Sequence, residues 1–86
     1  MEALVENESI KGSIRNFISK SVNISNVDEN EDLFDSGIVN SLFSIQLVTF
    51  VEKTFGINVT VDDLDIDNFK SVNSLNRFVQ IKLAAQ

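Results

Sequence analysis

Eight apolar side chains crowd into residues 42–55: Leu42, Phe43, Ile45, Leu47, Val48, Phe50, Val51 and Phe55. At 3.6 residues per turn, all but the first spread over more than half of a helix circumference. A helix apolar around so much of its surface must be covered by others, which predicts a central helix in an all-helical packing. It should run from Ser41 to about Phe55, with Gly56 as its C-terminal stop. The face left over is a narrow stripe at i, i+4, i+7 and i+11, formed by Leu42, Gln46, Thr49 and Lys53 and expected to be exposed.

The rest of the chain supplies the covering. Ile10, Ile14, Phe17 and Ile18 recur with helical spacing, predicting an amphipathic helix over about 9–20 that could begin as early as Glu2 or Ala3. Gly12 weakens its middle by up to about 1 kcal/mol. Residues 21–40 then form a long polar connection, a length that is uncommon unless the loop is functional or packed by its own side chains. Val22, Ile24, Val27, Leu33 and Phe34 are its expected anchors, Gly37 its turn residue, and the acidic run 28–32 a solvated face. Thr60 and Asp63 form a capping-box pattern that predicts one short turn near 61–66. Ser71 can cap a last helix carrying Val72, Leu75, Phe78, Val79 and Leu83, with 84–86 expected to fray. The expected architecture is therefore an all-α bundle of three main helices plus one short helix, forming a single domain over residues 1–86.

Reactive chemistry is scarce. With no His and no Cys, the chain offers no Ser-His pair, no thiol nucleophile, no disulfide and no zinc site of the usual kind. Its carboxylates sit in runs that look solvated, which gives general acid–base catalysis no sheltered group. Asp63, Asp65 and Asp67 alternate as in a calcium loop, but Asn68 and Ser74 stand where that loop needs Gly and Glu. No enzyme activity and no metal are expected. The formal charge of −6 argues against nucleic acid and anionic membranes and favours basic patches on protein partners. The first six residues lack the basic and long apolar regions of a signal peptide. Together with the missing cysteines, this points to the cytoplasm.

Ser41 stands where the polar loop meets the apolar helix. Its hydroxyl can simply cap the helix, a contribution of about 1 kcal/mol. It can also carry a phosphate-linked group, which there would face free N–H groups and the positive end of the helix dipole. The run Asp32-Leu33-Phe34-Asp35-Ser36-Gly37-Ile38-Val39-Asn40-Ser41-Leu42, continuing through Ile45-Gln46-Leu47-Val48 to Phe55-Gly56, resembles the carrier-protein family of acyl, peptidyl and D-alanyl carriers. Asn40 departs from it, standing where most members have Asp.

The resemblance implies 4′-phosphopantetheine covalently attached to Ser41, with an acyl or aminoacyl cargo carried as a thioester. It also implies a phosphopantetheinyl transferase, a loading enzyme and a downstream synthase as partners, met by a monomeric carrier through Asn40, Leu42 and Gln46. Residues 33–41 look like the D-alanyl carriers. The longer run from Gly37 to Lys53 is closer to the free-standing carriers of methoxymalonyl-, hydroxymalonyl- or aminomalonyl-type extender units for polyketide or hybrid peptide assembly, where Asn40 is at home. An unmodified helical interaction module, with Ser41 only a cap, is the rival reading.

Overall fold

The computed structural model describes residues 2–25 and 27–85, with side chains from Ser9 onward. Helix α1 spans Glu2–Val22, α2 Ser41–Phe55, α3 Ile66–Phe69 and α4 Val72–Ala85, with a 3₁₀ turn at Val61–Asp63 before α3. The bundle is all-α, with no strand among the described residues. Helix α1 begins at Glu2, the earliest start left open by the sequence, rather than near Ser9, and it runs two residues past Lys20. Leu4 and Val5, considered for its apolar side, lie outside the described side chains, as Gln86 lies outside the described residues. Helix α4 continues through Ala85.

Ile10, Ile14 and Ile18 bury one stripe of α1, and Phe43, Leu47 and Val51 bury one stripe of α2. Phe17 joins the two helices, its ring stacked 4.2 Å from Phe50 and 5.7 Å from Phe43 between centroids. The central element, however, is α4 rather than α2. It packs against α1, α2 and α3, and Val72, Leu75, Phe78 and Val79 are all buried along it. The apolar breadth of α2 exceeds what three long helices can cover. Ile45 therefore remains 64% exposed.

The long connection is held at both ends and in its middle. Asn23 takes a left-handed conformation (φ 57°) just after α1, an end-of-helix geometry that Asn tolerates better than most residues. Val27, Leu33 and Val39 enter the core, and Ile24, Phe34 and Ile38 pack half-buried against it. Its acidic run is more than a solvated face. Glu29 receives Arg15 at 2.9 Å and Lys11 at 3.5 Å, and its carbonyl accepts from the Asn73 N–H. Asp32 Oδ1 accepts from the N–H groups of Phe34 and Asp35, which closes the tight turn leading to Gly37 (φ 85°). Leu33 then donates its N–H to the Lys70 carbonyl at 2.6 Å and accepts at its own carbonyl from Val39.

The expected capping box is present, Thr60 and Asp63 each accepting from the other's N–H. Its product is only the 3₁₀ turn, and α3 starts separately behind its own cap, Asp65. Asp63 also meets Lys82 of α4 at 2.7 Å, and this partner and the Thr60 N–H hold its carboxyl below the ordinary carboxylate range. The three alternating aspartates thus have separate duties, Asp65 accepting from the Asp67 N–H and Asp67 lying near Lys70. Ser71 caps α4 by accepting from the Ser74 N–H.

Candidate functional site

The loop turn at 32–37 and the buried side chain of Val39 deliver the chain to α2 with Asn40 in extended conformation. Asn40, not Ser41, is the cap: the Phe43 N–H donates to its Oδ1 at 2.8 Å, and the Ser44 N–H donates to its carbonyl. This corrects the reading of Ser41 as a cap. An amide oxygen one residue earlier has the reach to satisfy the third helical N–H, which frees the serine to be the first helical residue.

Ser41 is exposed, and its hydroxyl has no hydrogen-bond partner among the described residues. Its neighbours differ from it. Ser36 donates to the Leu33 carbonyl, Ser44 donates to the Ser41 carbonyl at 2.7 Å, and Ser71 and Ser74 are buried and bonded to each other. The N–H groups of Ser41 and Leu42 also lack protein partners among the described residues, and the first turn of α2 holds no acid. An anion attached to Ser41 would meet two open donors and the positive end of the dipole, with no carboxylate on that turn to oppose it.

Leu42 and Gln46 are exposed one turn apart, as are Thr49 and Lys53 farther along the stripe. Asn40, Ser41 and Leu42 lie together at the helix start. Gln46 instead borders a hollow on the α1 side, with Phe17, Phe50 and Lys53. A second hollow of about 230 Å³ opens on the opposite side of α2, between Phe34, Ser44, Val48, Leu64, Ile66 and Phe69, with Asp65 at its edge.

Residues 13–79 match the phosphopantetheine attachment site family. The chain belongs to that family. It is a carrier protein, and the cofactor of the family is covalently attached 4′-phosphopantetheine. D-alanyl carrier proteins of Streptococcus pyogenes serotype M5 (strain Manfredo) and serotype M1 are each 33% identical to this carrier over 51 residues, 59% of its chain. The match spans 65% of those relatives' own length.

The site residues present fit such a group, since an exposed, unbonded hydroxyl and two open N–H donors meet at one helix start. Sequence reasoning missed the capping role of Asn40 and the exposed apolar side chains flanking the second hollow. Asn40 had a signal in its position one residue before the helix. The acids interleaved with Val61, Leu64 and Ile66 were the signal for the other. Among the described residues no helix is long and apolar enough to cross a membrane, and no cluster of His, Cys, Asp or Glu is arranged to hold a metal.

The cap yields a direct test. Asn40→Ala should cost about 1 kcal/mol in urea unfolding, whereas Asn40→Asp keeps the accepting oxygen and should be neutral or slightly stabilising in the unmodified protein. Equal loss in both variants would contradict the assigned hydrogen bond.

Proposed function

We propose that this chain is a single non-catalytic carrier domain that bears 4′-phosphopantetheine on Ser41 and presents a thioester-linked cargo to partner enzymes in the cytoplasm. The observation that carries the reading is the exposed, unbonded Ser41 hydroxyl at the N-terminus of α2, within the matched span. In a transferase, Ser41 Oγ is the nucleophile toward the phosphoanhydride of coenzyme A. The new P–O bond replaces the one to the departing adenosine bisphosphate, and the hydroxyl proton passes to the transferase. The attached group supplies a terminal thiol on a flexible arm. The chain's own contribution is positional: Asn40 fixes the first turn without adding charge, the Ser41 and Leu42 N–H groups would be the donors available to a phosphodiester there, and the buried Phe43 anchors the turn that carries the serine.

The cargo we favour is a short, polar extender unit for polyketide or hybrid peptide assembly, as the run from Gly37 to Lys53 suggests. Such a unit gains little from burial and would lose hydration inside the bundle, and a carboxylated one would meet Asp65 at the edge of the second hollow. A D-alanyl cargo is the second reading, favoured by the 33% identity to D-alanyl carrier proteins.

Intact mass decides between them after conversion with a phosphopantetheinyl transferase and coenzyme A. The converted protein should gain one phosphopantetheinyl group and then stay unchanged with a D-alanine-activating ligase, ATP and D-alanine. A further D-alanyl increment would support the second reading, and no first increment would refute the carrier assignment.

A further inference from the structure

The two flanks of α2 carry opposite charge at their rims. The second hollow, on the α3 side, has Asp65 at its edge. The hollow on the α1 side is larger, about 460 Å³, and it is bordered by Lys53 and by no carboxylate. Phe17 and Phe50, stacked at 4.2 Å between centroids, give it an apolar wall. Lys53 is the one cation of α2; it is exposed and makes no ion pair among the described residues. The acid beside it in sequence, Glu52, is occupied elsewhere, its carboxylate accepting from the Val59 N–H at 2.8 Å. Polar groups lie between Ser41 and this lysine. Gln46 is exposed, and its amide is unbonded among the described residues. Thr49 gives its hydroxyl proton to the Ile45 carbonyl at 3.2 Å, which leaves its oxygen to accept from an amide N–H. Lys53 stands about 18 Å beyond Ser41 along the helix axis, a span within reach of an extended phosphopantetheine arm.

We infer that a carboxylated cargo is held on the α1 side of α2, with its carboxylate at Lys53 and its arm laid across Gln46 and Thr49 against Phe17 and Phe50. Charge complementarity selects this occupant. A carboxylate is repelled by Asp65 on one flank and attracted by Lys53 on the other, whereas the ammonium of an aminoacyl group has the reverse preference. The arm's own phosphate does not compete, because it is fixed at Ser41. The contact is weak by itself, since an exposed ion pair changes a population by about two- to fivefold. Tethering compensates, because the arm keeps the carboxylate at a high local concentration. Lys53 is therefore a positioning residue for the cargo, one that distinguishes carboxylated units from neutral or cationic ones.

This inference rests on the carrier reading and deepens it by naming the charge of the cargo. Three units are compared: malonyl, acetoacetyl, which replaces the carboxylate with a methyl ketone of similar size, and D-alanyl. A phosphopantetheinyl transferase installs each on Ser41 from its coenzyme A thioester, with adenosine bisphosphate leaving, and intact mass verifies loading. Amide NMR shifts are then read against the unacylated, phosphopantetheinylated chain. At Gln46, Thr49, Phe50 and Lys53 they should be about two- to fivefold larger with malonyl than with acetoacetyl, and D-alanyl should show no such excess. Lys53→Gln should remove the excess, Lys53→Arg should keep it, and added salt should shrink it. Lys53 is exposed, so circular dichroism should be unchanged in both variants. Equal shifts with malonyl and acetoacetyl, an excess that survives Lys53→Gln, or malonyl shifts confined to Val48, Leu64 and Ile66 would overturn the inference while leaving the carrier reading intact. A chain left unmodified even by coenzyme A itself would instead refute the carrier reading beneath it.

Discussion

Truncating Leu33 to alanine is expected to remove about 2–5 kcal/mol of folding stability, the range for a fully buried leucine. Against a total of about 5–15 kcal/mol for a natural domain, that is a large share. Leu33 is completely buried, and its backbone is bonded on both sides, to the Lys70 carbonyl and to the Val39 N–H. Its side chain thus locks the 21–40 connection onto the junction between α3 and α4. The urea midpoint should fall by more than about 1 M. The same loss should loosen the approach to Ser41, since Val39 and Asn40 are positioned through Leu33, and amide exchange at 33–40 should accelerate more than in α4. A midpoint within a few tenths molar of the parent would show that the loop is held by something else.

Helix placement was legible because the apolar spacing is strong. The bounds of α2 and the caps at Thr60 and Ser71 follow from residues within one turn of each end. What stayed hidden depends on partners distant in sequence. Glu29 is one of several acids in a polar run until Lys11 and Arg15 come to face it. The breadth of apolar surface on α2 suggested a central helix, but burial depends on how many neighbours are available. With α4 taking the middle, Ile45 is left outside.

The candidate site divides in the same way. Ser41 and its position at a helix start were evident from the loop-to-helix junction and the family resemblance. The cap was assigned one residue late, because both Asn and Ser accept well at that position and only the backbone conformation separates them. The surface formed with Leu64 and Ile66 arises from the 3₁₀ turn and α3 folding beside α2, a tertiary placement no local pattern encodes.

Ser41→Ala is the second large effect expected, and here function and stability should part. Since Asn40 holds the cap, alanine at the first helical position should alter stability by no more than about 0.5 kcal/mol. A serine acting as the cap would instead cost about 1 kcal/mol when truncated. Modification by the transferase should nonetheless be abolished, because no other serine near the loop combines exposure with an unbonded hydroxyl at a helix start. Retained folding with complete loss of the mass increment is the expected pair of results. Residual modification would point to Ser36 or Ser44, both hydrogen-bonded in this structure.

The most direct measurement is fragmentation mass spectrometry of the modified parent chain, read at the level of the individual residue. The phosphopantetheinyl group is expected on the Ser41 side chain alone, at one equivalent per chain. A group located on any other residue, or an unmodified chain after exhaustive incubation with transferase and coenzyme A, would contradict it.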